Sequence, residues 1–519
     1  MMTVFSRTLA VMTTISTIGL LMFLVMFLLF NASGIEALAA LTALAVIYGA
    51  VYGFTSLRVI KSLWTDRSEI EKKPSRSLPY FVAFTTVAAL LVMVFLDSVL
   101  YDYFQPVSIF DEVIAALGVA WGFLAIVLVL SAFMVRKLSR LVAHRMAALA
   151  VVALAGWPLM ATTEWINDPE YHPDLTVVND VFVGGENGYA IYRIPGMLII
   201  PAGSRLSSGE VLNSDRLLAI AEARRDGALD NGVIDLVLKI SDDGGRSWNE
   251  QQVVCRYEVG DARGKCGNPT PVFEQTNGIV FLAHNISGID GMTPVMISSP
   301  DGGSSWSERI VLPYDDLIFG PGHGIQKSKA PAIGRIVVPG YQVQKGGNRA
   351  LVLLSDDLGQ NWRKSELLND GDESAVAELE DGSIYLSTRQ HAALGRAPAP
   401  NGRWMSTSDN GGISWLDVKK DVALYTPVCQ ASVLEYGQKG LLFSNPAHTK
   451  ARVNMTVRLS NDQGSSWNTS VSVYPGASGY SDLGALSNGD VAVLFENGRM
   501  SYSEKITLAL LPEQMLNDG

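Results

Sequence analysis

Arginines are the residues that could hold an anionic ligand in the acidic part of the chain, and Arg193, Arg389 and Arg452 are three of them. Arg193 follows Tyr192 in the run YRIP, Arg389 ends the run SIYLSTR, and Arg452 precedes the run VNMTVRLS. Residues 166–519 hold 29 Lys and Arg against 42 Asp and Glu, a net charge of −13. An anionic ligand would therefore need a local cluster of arginines, whose planar guanidinium groups bind a carboxylate through two hydrogen bonds. A single arginine at a strand end is usually solvated, so a site for an anion would need several arginines that converge.

A run of eight residues recurs five times in the same part of the chain. The octets are SDDGGRSW (241–248), SPDGGSSW (299–306), SDDLGQNW (355–362), SDNGGISW (408–415) and SNDQGSSW (460–467). Their tryptophans lie at positions 248, 306, 362, 415 and 467, so the intervals are 58, 56, 53 and 52 residues. Ser and Asp side chains bond nearby backbone N–H groups, and glycine at the fifth position adopts φ values that other residues resist. The octet is therefore predicted to be a structural turn and not a catalytic element.

The segments between the octets are typical of β-strands. The runs GIVFLAH (278–284), RIVVPGY (335–341) and DVAVLFE (490–496) are short, β-rich and bounded by Gly, Asn or Asp. A period near 50 residues with strands between the copies favours a propeller array. Residues 175–512, divided by a repeat of about 55, give about six blades. We therefore expect an all-β six-bladed β-propeller over residues 166–519.

The octets have the pattern of Asp boxes, and together with YRIP they resemble the exo-α-sialidases, or neuraminidases. The resemblance covers roughly residues 175–510, about two-thirds of the chain. Asp boxes alone occur in other propellers, so the specificity lies in their combination with YRIP and the polar positions given below. The resemblance implies a sialidase-like propeller that hydrolyses terminal α-linked sialic acids on glycans, glycoproteins or glycolipids. It implies neither a metal nor a cofactor.

The resemblance assigns substrate-binding roles to four arginines and a supporting role to one glutamate. Arg193, Arg389 and Arg452 match three arginines that hold the carboxylate on the anomeric carbon of sialic acid. Arg224, in AEARRDG, matches a further binding arginine. Glu496, in VAVLFENG, matches a glutamate that braces the first arginine.

The resemblance also assigns three catalytic residues. Tyr480, in GYSDLGA, matches the nucleophile, and Glu373, in GDESAVAE, matches its base. A carboxylate nucleophile would be repelled by the carboxylate on the anomeric carbon, whereas a neutral phenol would not, and sialidases are a recognised exception among retaining glycosidases. Asp230, six residues after Arg224, matches the acid that protonates the leaving oxygen. The neighbouring alternatives for this binding and acid pair are Arg225, Asp226 and Asp235.

Two further features of the polar part stay open at the level of sequence. His323, in GPGHGIQ, is expected to be a loop residue or a contact to the sugar, because the acid and base roles are already filled. Cys255 and Cys266, 11 residues apart, could form a disulfide in an oxidising compartment, and an unpaired state is about as plausible.

Residues 1–165 differ in composition and consist mainly of apolar runs. Five runs suit a helical membrane span of about 17–25 residues: Leu9–Asn31, Leu38–Leu57, Tyr80–Leu100, Val113–Val135 and Met146–Thr163. Loops rich in Lys and Arg at 58–76 and 136–145 alternate with 101–112, which has neither, so the positive-inside rule puts the N-terminus in the cytoplasm. Five spans place the residues after 165 outside, and four would leave them inside. A cleaved signal peptide is disfavoured because the first apolar run is too long.

The sequence thus predicts a transmembrane helical domain over residues 1–165 followed by a sialidase propeller over residues 166–519. The expected protein is an integral component of the lipid bilayer, with an extracytoplasmic exo-α-sialidase domain that retains configuration through Tyr480. The acidic charge argues against nucleic acid as a partner. The alternatives are a non-catalytic sialoglycan-binding or sensing membrane protein and a trans-sialidase, which would use the same residues.

Overall fold

The computed structural model describes residues 169–516, with the exception of residues 228–229, 231, 257–264, 289–290, 346, 369, 390–401, 417, 450 and 500. The described part forms β-strands and two short 3-10 helices, Gly437–Lys439 and Glu513–Leu516. The strands are β1 (Val177–Val183), β2 (Ile191–Ile200), β3 (Arg216–Arg224), β4 (Ile234–Ser241), β5 (Gln252–Cys255), β6 (Lys265–Glu274), β7 (Ile279–Gly288), β8 (Gly291–Ser299), β9 (Ile310–Val311), β10 (Leu317–Phe319), β11 (Ile325–Gln326), β12 (Ile336–Gln342), β13 (Arg349–Ser355), β14 (Arg363–Lys364), β15 (Ser374–Glu378), β16 (Ile384–Thr388), β17 (Arg403–Ser408), β18 (Lys419–Asp421), β19 (Ser432–Glu435), β20 (Leu441–Pro446), β21 (Val453–Ser460), β22 (Thr469–Ala485), β23 (Val491–Gly498) and β24 (Lys505–Leu511).

Hydrogen bonds join these strands into four sheets. The largest has eight strands in the order β2-β3-β4-β6-β7-β8-β9, with β5 paired to β4. A five-stranded sheet has the order β10-β12-β13-β14, with β11 paired to β12, and a four-stranded sheet has the order β15-β16-β17-β18. A seven-stranded sheet has the order β1-β24-β23-β22-β21-β20-β19, so the first and last described strands pair with each other.

The prediction of a six-bladed propeller following a helical membrane domain is wrong. The described residues are all-β, but their sheets are four of unequal size and not six separate four-stranded blades. The 17-residue strand β22 accounts for part of the difference, because it pairs with β21 over residues 469–477 and with β23 over residues 477–485. A repeat in the sequence counts recurring turns, and it does not determine which neighbouring groups of strands share hydrogen bonds.

The prediction of an integral membrane protein, held in a lipid bilayer with an extracytoplasmic domain, is also corrected. Within the part of the chain that the structure describes, no helix is long and apolar enough to cross a membrane. The two 3-10 helices have three and four residues, whereas a helical span needs about 20. The five apolar runs on which the prediction rests, within residues 1–165, lie outside the described residues.

Each octet closes on itself through its own side chains. In the first, Ser241 Oγ donates to Asp243 Oδ1 at 2.8 Å and accepts from the Gly245 N–H at 2.9 Å. Asp243 accepts from the backbone N–H of Ser247 at 2.9 Å and from its hydroxyl at 2.6 Å. The other four octets repeat the serine–glycine bond at 2.7–2.9 Å. In the fourth, Asn410 replaces the aspartate, and its Oδ1 accepts the equivalent backbone N–H at 3.1 Å.

The octets also anchor the hydrophobic core. Their tryptophans pack against five different clusters of buried side chains: Trp248, Trp306, Trp362, Trp415 and Trp467. The fifth-position glycine permits this approach. Gly245 has φ 82°, and a Cβ there would lie 2.0 Å from Leu508 Cδ2. Glycine is therefore needed both for the backbone angle and for the contact between turn and core.

The cysteines differ in state. Cys255 and Cys266 form a disulfide between the end of β5 and the start of β6, which decides the alternative that the sequence left open. Cys429 is a buried free thiol that packs with Ile194 and Tyr480.

Candidate active site

The predicted site residues come from strand ends and strand irregularities in several sheets. They are placed as follows: Arg193 in β2, Arg224 at the end of β3, Asp230 between β3 and β4, Glu373 before β15, Arg389 after β16, Arg452 before β21, Tyr480 in β22 and Glu496 in β23. Most of these residues lie at or beyond a strand end, and Arg193 and Tyr480 lie within strands at shifts of the register. The contacts described below link these residues into one region.

Two bulges aim the side chains of Arg193 and Tyr480. The register between β2 and β3 shifts just after Arg193, where Ile194 has φ 58°. The register between β22 and β23 shifts around Tyr480. A bulge re-aims a side chain relative to the regular ladder, and a positive φ at a β-branched residue persists only where the surroundings hold it. Both bulges therefore need a partner for the backbone N–H groups that leave the ladder.

Glu496 supplies that partner for both bulges. Its carboxylate is fully buried, and Oε1 accepts from Arg193 Nε at 2.9 Å and from the Ile194 N–H at 2.8 Å. Oε2 accepts from Arg193 Nη2 at 3.3 Å and from the Tyr480 N–H at 3.0 Å. One carboxylate thus fixes the guanidinium of Arg193, compensates its charge and holds the backbone that carries Tyr480.

Tyr480 lies against a carboxylate and a guanidinium. Its hydroxyl donates to Glu373 Oε1 at 2.5 Å and accepts from Arg389 Nη1 at 3.2 Å. The same Nη1 lies 2.7 Å from Glu373 Oε2. Asp372 holds the other side of Arg389, accepting from Nε at 2.9 Å and from Nη2 at 3.0 Å. Tyr480, Glu373 and Asp372 are buried, and only 11 % of the Arg389 side chain is exposed. The phenol, the base and the arginine therefore have fixed geometry.

Arg193 and Arg452 lie beside the same two aromatic rings. Their Cζ atoms are 5.3 and 5.4 Å from the centroid of the Tyr480 ring, and 5.1 and 5.0 Å from that of Tyr502. Arg452 Nη2 also donates to the Val428 carbonyl at 2.7 Å. Three of the predicted arginines, counting Arg389, therefore approach Tyr480 from different parts of the chain.

Arg224 connects a buried glutamate with an exposed aspartate. Its Nη2 lies 2.6 Å from Glu222 Oε2 and 2.8 Å from Asp230 Oδ1. Arg224 is 2 % exposed, whereas 77 % of the Asp230 side chain is accessible. Glu222 also accepts from the Asn268 N–H at 3.1 Å, which ties β3 to β6. Asp230 is thus held at one oxygen and open to an incoming ligand.

The neighbouring alternatives for Arg224 and Asp230 have other contacts. Arg225 pairs with Asp235 at 2.6 Å, and the same oxygen of Asp235 accepts from the Tyr189 hydroxyl at 2.8 Å. Asp235 is fully buried and Asp226 is exposed. Asp235 therefore forms a structural ion pair with Arg225, whereas Asp230 forms an ion pair with Arg224.

Burial and charge shift the pKa values of the central groups in different directions. Burial, together with the Glu373 carboxylate, raises the pKa of Tyr480 well above its ordinary value, so the phenol is neutral. Burial raises the pKa of Glu373, with Asp372 acting in the same direction and Arg389 against it. Partial burial would also raise the pKa of Asp230, but the charges of Arg224, Arg193 and Lys265 lower it to about 2.

Four residues that the sequence reasoning missed help to build the region. Asp372 positions Arg389, and Glu222 positions Arg224. Asp372 directly precedes Glu373 in the sequence, and Glu222 lies two residues before Arg224. Burial and the charges of Glu373 and Asp372 raise the pKa of Tyr341, which lies in β12. The sequence could have indicated Asp372 and Glu222, because these acidic residues lie beside predicted site residues in the runs GDES and AEAR. Tyr341 and Tyr502 gave none, since their positions depend on long-range packing.

His323 has an internal contact. Its Nδ1 lies 2.7 Å from Asp482 Oδ1. Burial lowers the pKa of His323, but the negative charge of Asp482 outweighs burial, so the pKa is raised. Asp482 is fully buried and also accepts from the Met197 N–H at 2.7 Å and from Ser432 Oγ at 2.8 Å. The expectation of a loop or sugar contact stays a prediction. In the structure, His323 contacts Asp482, which ties the strand of Arg193 to the strand of Tyr480.

The arrangement suits nucleophilic chemistry on an anion. It combines a neutral phenol hydrogen-bonded to a carboxylate, three guanidinium groups around that phenol, and a partly exposed aspartate near a fourth. An acidic domain would repel an anion elsewhere, so the arginines define where one binds. Among the described residues, no group of three or more His, Cys, Asp and Glu side chains is placed to hold a metal ion.

Comparison with known proteins finds sialidases among the relatives of this chain. A sialidase from Micromonospora viridifaciens is 30 % identical over 402 residues, which cover 70 % of this chain and 58 % of that protein. Human sialidase-3 is 26 % identical over 402 residues, covering 62 % of this chain and 88 % of that protein. The chain thus spans less than two-thirds of the length of the Micromonospora relative.

Solved structures show the same fold. The Hadza microbial sialidase Hz136 superposes with a TM-score of 0.56 at 22 % identity, over 66 % of this chain and 69 % of that chain. The family described as the BNR repeat-like domain matches residues 215–503, more than half of the chain. On this match, supported by its sialidase relatives, the chain belongs to the BNR repeat-like domain family.

Proposed function

We propose that this protein is an exo-α-sialidase that hydrolyses terminal α-linked sialic acids with retention of configuration. The observation that carries the proposal is the 2.5 Å hydrogen bond from the Tyr480 hydroxyl to Glu373, in contact with Arg389. The names of the relatives, sialidases in a bacterium and in humans, support the substrate class. The substrates are expected to be sialylated glycans, glycoproteins or glycolipids.

Arg193, Arg389 and Arg452 bind the carboxylate of the sugar in this proposal. They surround the Tyr480 ring or hydroxyl, so a carboxylate placed among them brings the anomeric carbon close to the phenol oxygen. Each guanidinium already has a fixed partner, and little side-chain entropy is lost when the ligand arrives. Arg224 binds a further part of the sugar on the side of Asp230.

Tyr480 attacks the anomeric carbon as a neutral phenol. Because its pKa is raised, the proton must leave as the new bond forms, and Glu373 is placed to accept it. The glycosidic carbon–oxygen bond breaks, and Asp230 gives a proton to the leaving oxygen. Water then attacks the glycosyl–tyrosine with Asp230 as base, and Glu373 returns the proton to the phenol oxygen, so two displacements retain the configuration.

The state of Asp230 makes the acid step dependent on substrate. With a pKa of about 2 the carboxylate is ionised in the free protein, because Arg224, Arg193 and Lys265 stabilise its charge. A bound substrate carboxylate offsets part of that positive charge, and a bound sugar displaces water from the exposed face of Asp230. Both changes raise the pKa toward the range that a general acid requires.

Release of a fluorescent aglycone from an α-sialoside by the purified full-length chain tests the proposal. Wild-type protein should release the aglycone, and proton NMR should detect the α-anomer of sialic acid first. Glu373→Gln should be inactive, while Glu250→Gln, at an exposed glutamate, should match wild type. Binding of the sialoside without any release would instead favour a non-catalytic sialoglycan-binding protein. A product joined to an added sugar acceptor would favour a trans-sialidase.

A further inference from the structure

Tyr502 is a buried aromatic residue behind the arginines and has no role in the chemistry proposed above. It is 5 % exposed and lies in the turn between β23 and β24. The Cζ atoms of Arg193 and Arg452 stand over its ring at 5.1 and 5.0 Å. Both guanidinium groups also lie over the Tyr480 ring, so two arginines share two rings.

The turn and the neighbouring strand hold the ring in place. Glu504 accepts from the backbone N–H groups of Arg499 at 3.0 Å and Ser501 at 2.8 Å, which organises the turn on either side of the ring. A Cβ at Gly479 would lie 2.8 Å from Tyr502 Cδ2 and 2.1 Å from a carboxylate oxygen of Glu496. The absence of a side chain at Gly479 therefore allows Tyr502 and Glu496 to pack against the backbone beside Tyr480.

Electrostatics explain what the ring contributes. Arg193 and Arg452 are 6 % and 2 % exposed, and their like charges repel each other. The negative face of an aromatic ring attracts a desolvated cation without forming the directional bond that a carboxylate would. A carboxylate in the place of Tyr502 would hydrogen-bond the N–H groups of the guanidinium and compete for them with a ligand, whereas a ring contacts the guanidinium face.

We propose that Tyr502 is a positioning residue that holds the guanidinium groups of Arg193 and Arg452 in place for the substrate carboxylate. The inference rests on the proposed sialidase function, since it names that carboxylate as the ligand. It predicts that the ring, and not the hydroxyl, is the important part of Tyr502.

Tyr502→Phe and Tyr502→Leu in the full-length chain test the proposal. Binding of free N-acetylneuraminic acid is measured by calorimetry, and kcat and KM are measured with a fluorogenic α-sialoside. Tyr502→Phe should stay within about twofold of wild type, because it keeps the ring. Tyr502→Leu should weaken binding by at least about five- to thirty-fold, the lower end of the loss expected for two buried cation–π contacts, and should raise KM more than it lowers kcat.

A second measurement covers the case in which Tyr502→Leu does not fold. Phenylalanines of increasing fluorine content at position 502 keep the shape of the ring and progressively remove its negative face, so affinity should fall step by step. Wild-type affinity in Tyr502→Leu, or affinity independent of fluorination, would overturn the inference. Failure of the wild-type protein to bind or cleave any sialoside would overturn the proposed function instead, so the two failures are distinguishable.

Discussion

Replacing Glu496 with glutamine should cost a large part of the stability of the described domain. The carboxylate accepts four hydrogen bonds, two at each oxygen, from Arg193, the Ile194 N–H and the Tyr480 N–H. A glutamine amide has one accepting oxygen, and its NH₂ group can only donate. Whichever way the amide is turned, two buried donors face another donor, and the buried guanidinium of Arg193 loses its counter-charge.

The magnitude follows from those contacts. Each buried donor left without an acceptor costs about 1–3 kcal/mol. Breaking a buried ion pair by removing one charge costs about 3–5 kcal/mol. The two estimates describe overlapping losses and are not added, so we expect the free energy of unfolding to fall by about 3–5 kcal/mol. Domains are typically stable by about 5–15 kcal/mol, so this variant should be marginal.

Urea denaturation of Glu496→Gln, followed by tryptophan fluorescence, measures the loss. Glu250→Gln is the matched control, because the same chemical change is made at an exposed side chain and should shift the midpoint little. If Glu496→Gln and Glu250→Gln both unfold at the wild-type urea concentration, the carboxylate is not a common support for the two bulges. The account of how Arg193 and Tyr480 are aimed would then be refuted.

Three further outcomes are expected. Tyr480→Phe should lower kcat by at least about 100-fold while free sialic acid still binds, and wild-type turnover would exclude the phenol as nucleophile. Asp243→Ala should lower the free energy of unfolding by about 1–2 kcal/mol without changing activity per folded molecule. Asp243→Asn should leave the free energy of unfolding nearly unchanged, because Asn410 accepts the equivalent hydrogen bond in the fourth octet. A folded but inactive Asp243→Ala would contradict the structural role. Since Glu373 must be ionised to accept a proton and its pKa is raised, kcat/KM should fall with decreasing pH at a midpoint above the ordinary glutamate value of about 4.3, and a midpoint at or below that value would argue against this base.

The grouping of strands into sheets could not be predicted from the spacing of the octets. The period located the turns and the strands between them correctly, because each turn depends on side chains at most four residues from their partners. The pairing of β22 with two neighbours in succession depends on its length and on a bulge, and the repeat contains no information about either. The apolar character of residues 1–165 likewise gave a prediction of membrane spans that no helix of the described part supports.

The pKa values and charge contacts of the site residues also could not be predicted from the sequence. A resemblance between motifs pointed to Asp230, but not to the three cations that lower its pKa to about 2. It pointed to Arg193 and Arg452, but not to Tyr502 behind them. Asp372 and Glu222 lie beside predicted residues in the sequence, so their presence as acidic residues could be read there. The direction in which each side chain points could not.

The sequence by itself determined the turns, the β character between them and the types of residue available for chemistry. These features follow from interactions within a few residues, such as the bond of Ser241 to Gly245. Only the tertiary structure decided which groups meet. Arg193 and Glu496 are 303 residues apart in the chain, and Tyr480 and Glu373 are 107 apart. Their contacts depend on sheet register, bulges and burial, and burial in turn shifts the pKa values of Tyr480 and Glu373, because desolvation acts only once the chain has folded.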